Sequence, residues 1–171
     1  MNLKRKRIVA SAAITALATA VFLSFLLQSS HLILTNAHDG TALMSTRVYE
    51  GTEFSVSYTH SVNISLVTEI FRVQQGAIVL QALEFYSFGA GMPTEPEPGQ
   101  TLITLPDGGM RIEGFDRTMD NLTFLIAFTA NHTLHIESQE IPLQTLDFAG
   151  QPVRFEVVRQ NIWQRLGLFR T

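Results

Sequence analysis

The chain has 171 residues, enough for one ordinary domain, and its 46% hydrophobic and 16% charged residues exclude an intrinsically disordered chain. It contains no cysteine, which rules out disulfides, thiolate chemistry and Cys-based zinc or iron–sulfur sites. The formal net charge is −3, but four of the twelve Lys and Arg (Lys4, Arg5, Lys6, Arg7) occupy the first seven positions, and beyond them eight Arg face fifteen Asp and Glu, a balance that argues against nucleic acid as a partner.

The first predicted element is apolar and continuous. From Ile8 to Leu27 the chain runs IVASAAITALATAVFLSFLL without a charge, and at about 1.5 Å per residue a helix of that length matches the hydrocarbon core of a bilayer. Basic residues before it favour a cytoplasmic N-terminus and export of the remainder of the chain. A cleaved signal peptide would normally have a shorter apolar stretch ending in a small-x-small site. Here the run continues past Ala18-Thr19-Ala20 into Val21-Phe22-Leu23. The expectation is an uncleaved signal-anchor, with residues 1–30 as basic stub and transmembrane helix and residues 31–171 as an exported domain. The protein would then be single-pass in an inner membrane, its C-terminal domain periplasmic.

After the anchor the hydrophobic period becomes two. Phe54, Val56 and Tyr58 alternate with Ser55 and Ser57 and would share one face of a strand. Further strands are predicted at 41–48, 65–73, 77–86, 101–105, 110–115, 122–129, 133–137, 140–147 and 153–159. Asp107-Gly108-Gly109 reads as a hairpin turn, and Ala149-Gly150-Gln151-Pro152 punctuates the chain before the last strand. Short, evenly spaced strands without helical periodicity between them predict an all-β fold, an antiparallel β-sandwich or barrel-like domain. The segment Pro93-Thr94-Glu95-Pro96-Glu97-Pro98-Gly99 is expected to be a stiff acidic loop. At the C-terminus Ile162, Leu166 and Phe169 recur at helical spacing beside Trp163, Arg165 and Arg170, which predicts a short amphipathic helix.

The densest polar cluster is Tyr58-Thr59-His60-Ser61-Val62-Asn63, followed by Glu69 within the apolar run of the next strand. If the two strands form a hairpin turning near Asn63-Ile64, His60 and Glu69 could face each other across it. Such a pair could bind an anion, orient a metal or lock a turn. A Ser61, His60, Glu69 triad is disfavoured, because adjacent Ser and His point to opposite faces of a strand. Gly89-Ala90-Gly91 permits a tight turn or close backbone approach to a ligand, but lacks the continuation of a phosphate loop. His132 and His135 offer a weaker metal alternative, since a spacing of three separates them across a strand.

The run Phe54 to Val62, the downstream Glu69 and the run Phe85-Tyr86-Ser87-Phe88-Gly89-Ala90-Gly91-Met92-Pro93 resemble the domain-of-unknown-function family numbered 1850. The resemblance implies a small exported protein associated with TRAP transporters of the TAXI type. It supplies no catalytic residue. The resulting expectation is a non-enzymatic, membrane-anchored periplasmic accessory or binding domain without a cofactor. Its ligand site would comprise Tyr58, His60, Ser61 and Glu69, with Phe88, Gly89, Ala90, Gly91 and Pro93 as rim. Expected partners are the inner membrane through residues 8–27, TRAP transporter subunits or the solute-binding protein, and a small anionic ligand. Two alternatives stand beside it: a metal- or carboxylate-assisted hydrolase using His60 and Glu69, and an envelope scaffold using the basic C-terminal helix.

Overall fold

The computed structural model describes residues 12–21, 28–89, 91–93, 95–146 and 148–160. Contacts divide the chain into a unit His31–Val158 and a second unit made of the two chain ends. Within the second, residues 12–21 form a helix whose side chains are exposed. Among the described residues no helix is long and apolar enough to cross a membrane. The other half of the predicted apolar span and the predicted C-terminal helix at 162–169 lie outside the described residues.

The alternating pattern of residues 31–158 produces strands, because period-two apolar side chains give each strand one face to bury. In chain order these are β1 (Ser29–Asn36), β2 (Ala42–Val48), β3 (Glu53–Thr59), β4 (Leu66–Gln74), β5 (Ala77–Phe85), β6 (Thr101–Thr104), β7 (Met110–Thr118), β8 (Thr123–Leu125), β9 (Thr133–Ile136), β10 (Gln139–Pro142) and β11 (Pro152–Gln160). One sheet has the order β2-β1-β11-β8 and the other β10-β9-β3-β4-β5-β7-β6. Both contribute to one core: Leu32, Leu34 and Phe155 from the first meet Phe54, Val56, Phe71 and Leu134 from the second. The fold is therefore an antiparallel sandwich rather than a barrel.

Four aromatic rings tie the layers together. Phe54 stacks on Phe71 at 5.2 Å and faces Phe155 at 6.4 Å, while Phe124 meets Phe155 edge-on at 5.5 Å. Offset and edge-on pairs of this kind add to the area they bury.

The structure differs from the sequence pattern at three places. β1 has no counterpart among the predicted strands, because SSHLILTN follows the apolar run without a turn signal to separate them. The strand expected over 122–129 stops at Leu125, after which Ala127 N donates to Leu125 O and leaves Phe128 76% exposed. The strand expected over 140–147 becomes β10 followed by a 3-10 turn, Leu143–Leu146, that buries Leu143. The Asp107–Gly109 hairpin forms as expected, with Gly108 at φ +87° and Leu105 N bonded to Gly109 O.

One glycine is required by both conformation and space. Where β7 passes β5 the register slips, and three residues of β7 oppose Gln81 alone. Gly114 lies in this bulge at φ +87°, and a Cβ there would come within 2.6 Å of the Gly99 carbonyl oxygen. We expect Gly114→Ala to lower the unfolding free energy by about 1–3 kcal/mol, seen as an earlier denaturant midpoint; an unchanged midpoint would contradict the packing described.

Candidate functional site

The polar centre lies on the inner face of the larger sheet. In β4 the positions Val67, Glu69, Phe71 and Val73 alternate inward, and the other three are essentially inaccessible to solvent. Glu69 is thus a carboxyl group in a row of core residues. Its cross-strand partners are Val56 on β3 and Leu83 on β5, both buried. Apolar side chains therefore flank it along the strand and across it.

The polar partner comes from the neighbouring rung. Tyr58 pairs with Val67 and lies diagonal to Glu69, and its hydroxyl donates to Glu69 Oε1 at 3.0 Å. Its ring stacks on His132 at 5.2 Å and tilts against Phe124 at 6.1 Å. His132 is only 5% exposed, and its Nδ1 is buried without a hydrogen-bond partner. The loop that carries it is fixed by Leu143 N donating to His132 O. With its amide oriented to match, Gln144 accepts from Asn131 N and His132 N and donates to His132 O.

Burial sets the protonation of all three groups. Desolvation raises the Glu69 carboxyl above its ordinary range, and the bond from Tyr58 opposes this only in part. The Tyr58 hydroxyl is pushed well up, first by burial and then by the charge of Glu69 and the bond to it. Burial holds the His132 imidazole below its ordinary value, which favours its neutral form. Together they form a tyrosine donor, a carboxyl group whose proton affinity is raised and an imidazole whose neutral form is favoured, at one end of the sandwich core.

His60 does not join this centre. The β3–β4 register opposes Glu69 to Val56 and closes the hairpin beyond Thr59, so His60 faces the turn and not Glu69. There His60 N donates to Ser65 O, Ile64 N donates to His60 O, and His60 Nδ1 accepts from Val62 N and Asn63 N at 3.3 Å each. Of the three roles open to it from sequence, its imidazole takes that of locking a turn. Ser61 is exposed within that turn.

The rim is brought next to the same turn. Asn63 Nδ2 donates to Gly89 O at 3.3 Å, linking the β3–β4 turn to the loop after β5. Gly89 and Gly91 adopt positive φ, and Met92 N closes the turn onto Gly89 O. Phe88 is half exposed and meets Phe85 edge-on at 5.4 Å. Pro93 is partly buried, and Ala90 lies outside the described residues.

A second polar array has no signal in the sequence. On the outer face of the same sheet, Ser57 Oγ lies 2.8 Å from His135 Nε2, and His135 Nδ1 lies 3.7 Å from Glu140 Oε1. The residue types and order are those of a hydrolytic triad. However, Ser57 sits mid-strand with ladders on both sides, so the neighbouring backbone amides are committed to pairing and do not form an oxyanion hole. Glu140 is also 78% exposed and beyond hydrogen-bond reach. His132 and His135 occupy opposite faces, and among the described residues no three His, Asp or Glu are grouped to hold a metal ion.

The family model described as domain of unknown function (DUF1850) matches residues 54–143, more than half of the chain, which therefore belongs to that family. Neither the curated proteins nor the solved structures yield a match.

The elevated Glu69 value makes stability depend on pH with a definite sign. The folded carboxyl holds its proton more tightly than the unfolded one, so the folded state loses stability as pH rises above about 4.5 and through the folded-state value. His132 acts in the opposite window, losing stability as pH falls below about 6.5. In paired chemical denaturation of wild type and Glu69→Gln, the variant should gain relative stability between pH 4 and pH 8. A wild type that gains on the variant over that range would contradict the burial described.

Proposed function

We propose that this member of the DUF1850 family is a non-enzymatic binding domain, anchored through residues 8–27 in the inner membrane, displayed in the periplasm and assisting a TAXI-type TRAP transport system. The compartment rests on the N-terminal basic cluster, the uncharged run that follows it and the acidic, cysteine-free remainder. The transport link rests on the resemblance carried by residues 54–62, Glu69 and residues 85–93.

The observation that carries the binding reading is the inner-face carboxyl of Glu69, tied to the Tyr58 hydroxyl beside the unsatisfied His132 Nδ1. A fold gains nothing from placing a carboxyl group among Val56, Val67, Phe71 and Leu83, where an aliphatic residue would pack without a desolvation penalty. Perturbed groups of this kind concentrate where a protein binds or reacts. Here a ligand with its own donors and acceptors would find a hydroxyl, a carboxyl and a neutral imidazole. The small anionic ligand expected from the sequence would bind with Glu69 protonated, and its capture would take up a proton.

The hydrolase alternative has less support, since His60 Nδ1 accepts from turn amides and Glu69 accepts from the Tyr58 hydroxyl, so the two are not paired. The scaffold alternative depends on residues 161–171, which lie outside the described residues.

Tagged full-length chain recovered from detergent-solubilised membranes is expected to carry TRAP subunits with it. Tyr58→Phe should reduce retention of the copurifying small molecule at least about tenfold, corresponding to loss of one hydrogen bond, while leaving the subunits bound. Recovery without any TRAP component would contradict the transport role; full retention of the small molecule by Tyr58→Phe would contradict the site.

A further inference from the structure

The loop end of the sandwich displays apolar side chains. Val62, Ile64, Leu66 and Phe88 are 68%, 74%, 47% and 47% exposed, although this turn follows a strand whose apolar residues are buried. Val62 and Ile64 lie in the β3–β4 turn, Leu66 opens β4 directly after it, and the Asn63–Gly89 bond brings the loop carrying Phe88 beside the turn. The display is also rigid. His60 Nδ1 receives two amides of the turn, and Ile64 is held at φ 50°, a conformation that a β-branched residue resists. A strained, exposed isoleucine in a turn pinned from three sides is the kind of backbone outlier that accompanies a binding role.

Position and charge identify the partner that covers it. Ala37 N bonds to Pro152 O, and Thr59 N bonds to Ala130 O, so the ends of β1 and β3 and the start of β11 share this end of the unit. His31 and Val158, where the chain enters and leaves the unit, therefore lie at the opposite end, about 17–20 Å away at 3.3 Å per strand residue. Residues 31–158 carry fifteen Asp and Glu against five Arg. Near the loop end Asp107 is exposed beside Tyr86, and Arg111 is engaged by both Glu84 and Glu113. This anionic margin disfavours an anionic lipid surface and complements a cationic one. An apolar tip of four side chains suits a contact that forms and releases.

We propose that this tip docks a soluble exported protein that presents apolar side chains within a cationic margin. In the transport reading, on which the partner's identity rests, that protein is the solute-binding subunit and not a membrane-embedded one. Binding to the tip leaves Glu69 and Tyr58 behind the same loops, so docking and ligand capture share one end of the domain.

The test places a photo-crosslinking residue at position 64, or at Tyr49 at the opposite end, in the full-length chain co-expressed with the TRAP subunits. Ile64 is expected to give an adduct with the solute-binding subunit and Tyr49 none. Val62→Asp should reduce that adduct at least tenfold, as should raising salt from about 0.05 to 0.5 M. The variant's unchanged thermal midpoint serves as the folding control. An adduct with lipid, with a second copy of the chain or with a membrane-embedded subunit, or no adduct while TRAP subunits still copurify, overturns the docking surface and leaves the transport reading standing. Copurification of no TRAP component overturns both.

Discussion

A carboxyl group on the inner face of a β-sheet governs this structure. Glu69 occupies a core position of β4 with Val67 and Phe71 on either side, and the Tyr58 hydroxyl is the donor that makes the position tolerable. The pair divides the interior. On one side lies the aromatic core of Phe54, Phe71, Phe124 and Phe155; on the other a smaller cluster of Val67, Leu83, Phe85 and Ile112 beneath the loops. Tyr58 packs against both clusters, so removing its hydroxyl would leave an unsupported carboxyl at the seam.

The surrounding loops depend on this placement. The β3–β4 turn is closed by His60, tied to the β5 loop by Asn63, and backed by the loop carrying His132 through the Thr59–Ala130 bond. Short, hydrogen-bonded connections fix these loops on the rigid sandwich. The same economy explains the division of labour between the two histidines near it. His60 donates nothing to the polar centre but fixes the turn, while His132 contributes a neutral ring stacked on Tyr58.

Much of the architecture is legible from local pattern. Alternation in residues 53–58 places Phe54, Val56 and Tyr58 on one face, and Asp107-Gly108-Gly109 specifies its hairpin, because both depend on neighbouring residues alone. The clustering of Tyr58 with Glu69 is visible as composition, but their contact is not. A two-residue shift of register decides whether Tyr58 or His60 meets the carboxyl, and the closing bond at Ser65 requires Ile64 in a conformation its side chain disfavours. His132 and the Ser57–His135 pair are hidden for a different reason. Both depend on β3 pairing with β9, a contact between segments more than seventy residues apart that no local signal encodes. β1 escapes notice because the uncharged apolar run and an apolar strand adjoin without a Gly or Pro between them.

The most direct test of the central claim is titration of the Glu69 side-chain carboxyl by carbon NMR in the folded protein. The account predicts a midpoint above the ordinary 4.5, moving higher still in Tyr58→Phe as the stabilising donor is lost. A midpoint at or below 4.5 would mean that Glu69 is an ordinary solvated carboxylate, and the polar centre built on it would not exist.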